Sequence, residues 1–503
     1  MNLQYRHLAR RLAPTSPCTF KQHLSLGVIQ RRNIVVLGIE TSCDDTSVAL
    51  LDRESSPSDR PKTSLIFHQT ITSNNLPTRG IHPLTSLSSH RTHLGPLIGK
   101  ALTHLPPGTC RPDLVAATRG PGMRASLAAG LDVAKGLAVA WGVPLIGVNH
   151  MLGHALTVRL VSALAEGGLV APKFPFWSLL VSGGHTLVVR SEEVMEHRVL
   201  CETVDLAVGD MLDKVARCVV PERMIPTVEE GKGIGVVYGK VLEEYAFPKG
   251  DRVTSYEGFD YDYHPPGTEA RAMQDREFRE KYPAWSPLPV PFMSTGSKHH
   301  ILAFSFSGIG SFVEKALKSN IDMSDKERRA LGRQAMQCAF EHLAKRVVLA
   351  LREWEKKQPP DDTGSLPPSG KETLVLSGGV ASNSFLRHLL KKYLQNEAVE
   401  VELVCPPPSY CMDNAAMIAW AGLEIWEGGI GVEGEEGHRG KEGERGWATG
   451  LGCHPVRKWS LDSGDLAVEV PQGDPGETEA MGMLGVDCLV RRRDWERERR
   501  NTE

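Results

Sequence analysis

Apolar positions along the chain switch between two periods. A β-branched run, Ile34 to Ile39, ends in the polar turn Glu40-Thr41-Ser42-Cys43-Asp44-Asp45 and resumes as Val48-Ala49-Leu50-Leu51, which predicts strand, tight turn, strand. The pattern returns where apolar residues 176–181 run into Ser182-Gly183-Gly184-His185 and then Leu187-Val188-Val189. A third instance differs: a strand ending at Ser377 passes through Gly378-Gly379 into a helix carrying Phe385, Leu386, Leu389 and Leu390. Two hairpins opening two halves predict a duplicated α/β fold. Helical spacing marks 125–141 and 325–357, the second long enough for two helices. Three stretches rich in Pro, Gly or charge, around 247–300, 358–371 and 427–446, read as surface insertions or linkers.

Composition narrows the class. A chain of 503 residues with 41% hydrophobic and 24% charged residues has room for roughly two to four domains, which excludes wholesale disorder. No apolar run approaches the roughly 18 residues of a spanning helix, so membrane insertion is not expected. Residues 1–32 hold six of the 58 basic residues and no acid, so the remainder carries 52 basic against 61 acidic residues. An Arg-rich, acid-free start without a continuous apolar segment reads as an organelle transit peptide rather than a secretory signal. The rest is acidic, so a nucleic-acid contact would need a local basic strip, for which Arg91, Arg119 and Arg124 are the candidates. Ten cysteines without a C-x-x-C pair fit reduced thiols rather than a disulfide framework or zinc ribbon.

Three constellations carry candidate chemistry. His150 and His154 are four apart, so on a helix they share one face and can share a cation, with Asp413 as a third ligand or simply a helix N-cap. A zinc-protease reading needs Glu beside the first histidine, and Met151 stands there. The turns at Ser182-Gly183-Gly184 and Ser377-Gly378-Gly379 leave backbone N–H groups free for phosphate or ribose. No Walker A or G-x-G-x-x-G motif follows a strand. Asp205, Asp210 and Asp213 cluster in TVDLAVGDMLDKVAR, either to hold a ribose or metal-bound phosphate or, with Lys214 after Asp213, as an ordinary solvated pair.

Together these segments resemble a known family. The motifs IETSCDDTSVAL, GPGMRASLAAGLDVAKGLA, NHMLGHAL, LLVSGGHTLVV, DLAVGDMLDKVAR, FSFSGIGSFV, LSGGVASNSFLR and CMDNAAMIAWAG occur in the order seen in the tRNA N6-adenosine threonylcarbamoyltransferases, spanning residues 34 to about 425. The transit-like start, with Leu206 and Asp210 where bacterial members commonly show Asp and Glu, looks like the mitochondrial branch.

The resemblance implies the actin-like ATPase and sugar-kinase superfold, with two RNase-H-like halves around a central nucleotide cleft. Residues 33–170, completed by about 405–426, would form the first half. Residues 171–404, with insertions near 219–237, 247–300 and 358–371, would form the second, and 427–503 a linker and loosely ordered extension. It implies one divalent cation, iron or zinc, on His150, His154 and Asp413. It implies substrate contacts from Leu180, Val181, Ser182, Gly183, Gly184, His185, Asp213, Gly239 and Asn383. The implied reaction moves threonylcarbamoyl from threonylcarbamoyl-AMP, made by a separate synthase, to N6 of the adenosine 3′ of the anticodon in tRNAs reading codons that begin with A. A homodimer in the mitochondrial matrix is implied. No nucleophile is assigned, because the donor is already activated and Cys43 reads as a buried turn thiol. The alternatives are an ATP-dependent small-molecule kinase of the same superfold and a non-catalytic nucleotide-binding scaffold.

Overall fold

Strand β1 (Ile34–Glu40) pairs antiparallel with β2 (Asp45–Arg53), and β2 with β3 (Thr63–Thr72), because the short Thr41–Asp44 turn can only return the chain beside itself. Helix α1 (Pro83–Leu102) leads to β4 (Leu114–Gly120), and α2 (Arg124–Trp141) to β5 (Leu145–Asn149); both strands add parallel, giving the order β3-β2-β1-β4-β5. This is a computed structural model, and it describes residues 33–54, 61–78, 80–225, 237–248, 264, 268–292, 300–357, 372–428, 447–449, 453–462 and 489–491. The transit reading of residues 1–32 falls outside them.

After α3 (His150–Leu164) the plan repeats. Strands β6 (Phe176–Val181), β7 (Thr186–Glu193) and β8 (Glu196–Thr203) form an antiparallel meander. Helices α4 (Val208–Val219), α5 (Tyr238–Ala246) and α6 (Glu269–Lys281), the two-residue strand β9 (Ala303–Phe304), and helices α7 (Ser307–Ser319) and α8 (Asp325–Lys357) follow. Strand β10 (Glu372–Ser377), α9 (Ser384–Asn396) and β11 (Val401–Val404) complete a sheet of order β11-β10-β6-β7-β8-β9. With β9 set aside, its order and strand directions are those of the first sheet. The fold is the actin-like superfold with two RNase-H-like sheets.

Next come α10 (Pro408–Cys411) and α11 (Ala415–Glu427), which packs on the first sheet and on α3. Both α3 and α11 are buried almost all round, as expected of helices with apolar residues on every face. One core layer joins Val36, Ala116 and Val148 of the first sheet, Leu156 and Trp420 of the two helices, and Leu180 and Val189 of the second sheet. Residues one step along the strands, such as Leu37 and Leu179, face separate outer cores. Helix α11 approaches closely because Gly38 lacks a side chain: a Cβ there would lie 2.3 Å from the Ala415 carbonyl oxygen.

Three expectations are revised. Segment 325–357 is one unbroken helix, not two, since its apolar face continues past any break point from Ala330 to Leu351. The 247–300 insertion contains α6 and buries Tyr282, Trp285 and Leu288 in the second core, because its aromatics supply a stripe that charge content masked. Part of the extension read as loosely ordered, 453–462, is seated on the body through Cys453, Val456, Trp459 and Leu461. The insertion at 358–371 and the linker at 429–446 lie outside the described residues. Among the described residues, no helix is long and apolar enough to cross a membrane.

Replacing Gly38 by Ala should push α11 off the sheet and lower stability by about 1–3 kcal/mol, read as a lower urea midpoint with an unchanged m-value.

Candidate metal centre and substrate turn

Strand β5 ends at Asn149, whose side-chain oxygen accepts the backbone N–H groups of Met151 (2.9 Å) and Leu152 (3.3 Å). That cap fixes the start of α3 and puts His150 and His154 one turn apart on one face, their rings edge to face with centroids 4.8 Å apart. At the start of α11 the cap is Asn414, which accepts the Met417 N–H at 3.0 Å, so the N-cap reading of Asp413 gives way. The Asp413 carboxylate is left to face the imidazoles: its Oδ1 lies 3.1 Å from His154 Nε2 and 3.5 Å from His150 Nε2. Two helices that begin at the same layer thus bring together residues 259 positions apart.

A fourth group orients the first histidine. Glu40, buried at the end of β1, places Oε2 3.1 Å from His150 Nδ1, and Ser42 Oγ lies 3.3 Å from the same nitrogen. Glu40 also accepts the Thr118 hydroxyl and the Ser42 N–H. A neutral His150 with its proton on Nδ1 donates to Glu40 and aims its Nε2 lone pair at the Asp413 side, the arrangement of a metal-ligating histidine backed by a carboxylate. Burial opposes charge on His150, yet Asp413 and Glu40 push its pKa well above the usual imidazole value. Burial likewise opposes ionisation of Asp413 and Glu40, and the His150 imidazolium outweighs it, holding both acids below the usual carboxylate range. Two buried carboxylates facing these imidazoles call for positive charge between them.

A divalent cation fits that demand. Two imidazole nitrogens and a carboxylate oxygen, all within 4.8 Å of one another, form a donor set suited to zinc or ferrous iron. His154 Nδ1 is buried without a hydrogen-bond partner, so Nε2, 3.1 Å from Asp413, is the nitrogen this ring presents to a cation.

Beside this centre lies the β6–β7 turn. Ser182 N–H donates to the His185 carbonyl at 2.8 Å and His185 N–H to Ser182 Oγ at 3.0 Å, closing the turn with Gly183 and Gly184 exposed at its tip. Burial, with His150 and His154 adding to it, pulls His185 down to about 4, so its imidazole is neutral near pH 7. Neither tip glycine has a positive φ; the left-handed one is Gly378, at φ +97° in the other turn. Leu180 and Val181 are fully buried with their backbones paired to β7, so only Ser182–His185 of the expected string is presented.

Asp213 on α4 accepts the Gly239 N–H of α5 at 3.0 Å, which joins two of the expected residues. Burial pushes its carboxyl up to about 6 against the pull of Arg217 and the Gly239 amide. Lys214 pairs with Asp210 instead, at 3.2 Å. Asp205 faces away and binds Ser305, Phe306 and Ser307 at the start of α7. Asn383 caps α9 by accepting the Leu386 N–H at 2.9 Å. Glu243, which motif reading missed, accepts the Ser384 N–H at 2.9 Å and lies one turn beyond Gly239, so α5 braces both Asp213 and the α9 start. Its i+4 spacing from Gly239 was the available signal. Glu40 was missed too, although it is an acid ending a buried strand run. Arg119 is corrected as a surface contact: it is 2% exposed, its Nε bonded to the His454 carbonyl and its guanidinium over the Trp459 ring. Arg91 and Arg124 are exposed.

The family model described as tRNA N6-adenosine threonylcarbamoyltransferase matches residues 65–233 and 227–420. The chain belongs to the tRNA N6-adenosine threonylcarbamoyltransferase family. The mitochondrial tRNA N6-adenosine threonylcarbamoyltransferase of Schizosaccharomyces pombe is 30% identical over 450 residues, 88% of this chain and 90% of that one. The human mitochondrial enzyme of that name is 31% identical, covering 79% of this chain and 82% of its own. The threonylcarbamoyltransferase of Novosphingobium aromaticivorans is 32% identical, covering 78% and 90%.

Two outcomes follow from this geometry. His154→Ala should weaken Zn²⁺ or Co²⁺ binding by more than about 100-fold in a competitive chelator titration while far-UV circular dichroism stays unchanged. Because Asp213 ionises near pH 6, affinity for AMP should rise between pH 5 and 7 as the carboxylate becomes a pure acceptor for ribose hydroxyls. Asp213→Asn should flatten that profile in calorimetric titrations.

Proposed function

We propose that this chain transfers the threonylcarbamoyl group from threonylcarbamoyl-AMP to N6 of the adenosine immediately 3′ of the anticodon, in tRNAs reading codons that begin with A. The observation that carries this reading is the convergence of His150, His154 and Asp413 beside the Ser182–His185 turn in a chain of this family. A mitochondrial location is supported by the mitochondrial relatives; the matrix, a transit segment in residues 1–32, a homodimer and a separate donor-forming synthase belong to the same reading.

Chemically, the transfer forms a bond from N6 to the carbamoyl carbon, breaks the mixed-anhydride C–O bond, releases AMP and frees the N6 proton. His150, His154 and Asp413 would hold the divalent cation, which when bound supplies Lewis-acid polarisation of the donor's oxygens, typically worth several kcal/mol of barrier. The exposed amides of Gly183 and Gly184 bind the donor's anionic part, and Asp213, locked by Gly239, accepts from its ribose. His185, neutral near pH 7, adds no charge against the cation. A covalent acyl-enzyme has no support: burial, with Asp44 and Asp413 adding to it, pushes the Cys43 thiol well above its usual value and keeps it protonated. The remaining requirement is to hold a weakly nucleophilic amine about 3–3.5 Å from the carbonyl, so RNA positioning is part of catalysis. Arg124 stands two residues beyond Gly122, whose N–H binds the carbonyl of the exposed Arg457, and Arg457 takes the place of Arg119 in the basic strip with Arg124 and Arg91.

The direct test is transfer from purified threonylcarbamoyl-AMP to unmodified tRNA, with and without chelator. We expect chelator-sensitive product at N6 and no ATP turnover in the absence of tRNA; ATP hydrolysis with a small acceptor would favour the kinase instead. Arg124→Glu should weaken tRNA binding and reduce the salt slope by about 1.

A further inference from the structure

Residues 453–462 cross from one sheet to the other. Cys453, Val456, Trp459 and Leu461 point inward while His454, Arg457, Lys458 and Ser460 are exposed. At the first sheet the segment forms three bonds with the end of β4 and the loop after it: Val456 N–H to the Arg119 carbonyl (2.8 Å), Arg119 Nε–H to the His454 carbonyl (2.9 Å) and Gly122 N–H to the Arg457 carbonyl (3.2 Å). The approach is so close that a Cβ on Gly120 would fall 1.9 Å from the Val456 carbonyl oxygen. Trp459 lies under the Arg119 guanidinium, 5.3 Å from ring centroid to Cζ. At the second sheet, Asp462 accepts the Val199 N–H of β8 at 2.9 Å.

What this segment holds leads to the metal centre by two routes. Met123, next to the braced Gly122, donates its N–H to the Ser42 carbonyl at 2.9 Å, and Ser42 Oγ lies 3.3 Å from His150 Nδ1. Ser42 N–H in turn binds Glu40, the carboxylate on the same imidazole nitrogen. The second route is shorter and weaker: the Ser460 carbonyl accepts from Asn149 Nδ2 at 3.5 Å, the far end of the amide that caps α3. The first route ends in direct contact with His150, the second on the residue before it. Both end on groups that decide where His150 points.

We propose that residues 453–462 are a positioning strap for the metal centre, with Trp459 stacked on Arg119 as the plug that keeps the strap docked. Docked, the strap holds the 119–123 loop against Ser42 and steadies the Asn149 cap, so that His150 Nε2 is presented to a cation together with His154 and Asp413. The inference rests on reading those three residues as ligands. Outer partners of ligating histidines are typically worth 10–100-fold in metal affinity, which sets the size of the effect.

The test titrates Co²⁺ into the full chain against a competing chelator, recording affinity and the visible Co²⁺ spectrum, for wild type, Trp459→Ala, Trp459→Phe and the ligand variant His154→Ala. Thermal unfolding of each metal-free protein is measured alongside. Trp459→Ala should lose about 10-fold in Co²⁺ affinity and shift the spectrum, and Trp459→Phe, which restores a ring beneath Arg119, should recover both. If Trp459→Ala does not fold, Trp459→Leu, apolar but unable to stack, is read in its place with the same expectation. A lower unfolding temperature with wild-type affinity and spectrum would reduce the strap to a structural role and overturn the proposal. Equal Co²⁺ binding by wild type and His154→Ala would instead overturn the ligand reading on which it stands.

Discussion

A buried carboxylate held against two buried imidazoles is the constraint to which the rest of the molecule is fitted. Asp413 sits where desolvation alone would keep it protonated, and His150 where desolvation alone would keep it neutral. Each tolerates the position only because the other is there, with Glu40 behind. Such a set is stable only while its members stay paired, since an unpaired charge in that layer would cost several kcal/mol. The fold supplies the rigidity through two helices buried on every side, each started by an asparagine cap whose position sets the ligand that follows or precedes it.

Much of this could be read from the chain alone, for identifiable reasons. Strand-turn-strand segments announce themselves because both faces of these strands are buried and their apolar runs are nearly continuous, as in Phe176–Val181. The His150/His154 spacing is local and therefore visible. Asp413 became a partner only through the order of motifs, because nothing within its own segment distinguishes a ligand from a cap; Asn414, one residue on, performs the capping. Glu40 and Glu243 escaped notice because their roles depend on which strand or helix end they meet in space. The 453–462 strap was hidden by composition: its apolar residues are spaced irregularly in a polar stretch, and their burial depends on a loop more than 330 positions away in sequence, as the Arg119–His454 separation of 335 shows. Arg119 misled in the converse way, since a guanidinium can be buried when backbone carbonyls and an aromatic face receive it.

Duplication explains why the site lies where it does. Each sheet has the order of its counterpart, and each ends in a parallel strand, β5 or β11, whose chain runs on toward one of the two central helices. His150 directly follows β5 and Asp413 follows β11, so the candidate ligands occupy corresponding places in the two halves. The hairpin turns correspond as well, and here the halves have diverged. Turn 41–44 after β1 follows Glu40 and presents Ser42 to His150, whereas turn 182–185 after β6 is stripped to two glycines and opens its backbone. One half therefore orients a candidate metal ligand while the other leaves a glycine backbone exposed. On the proposed reading, a donor that is anionic at its phosphate and electrophilic at its carbonyl would use both surfaces at once, one supplied by each RNase-H-like half.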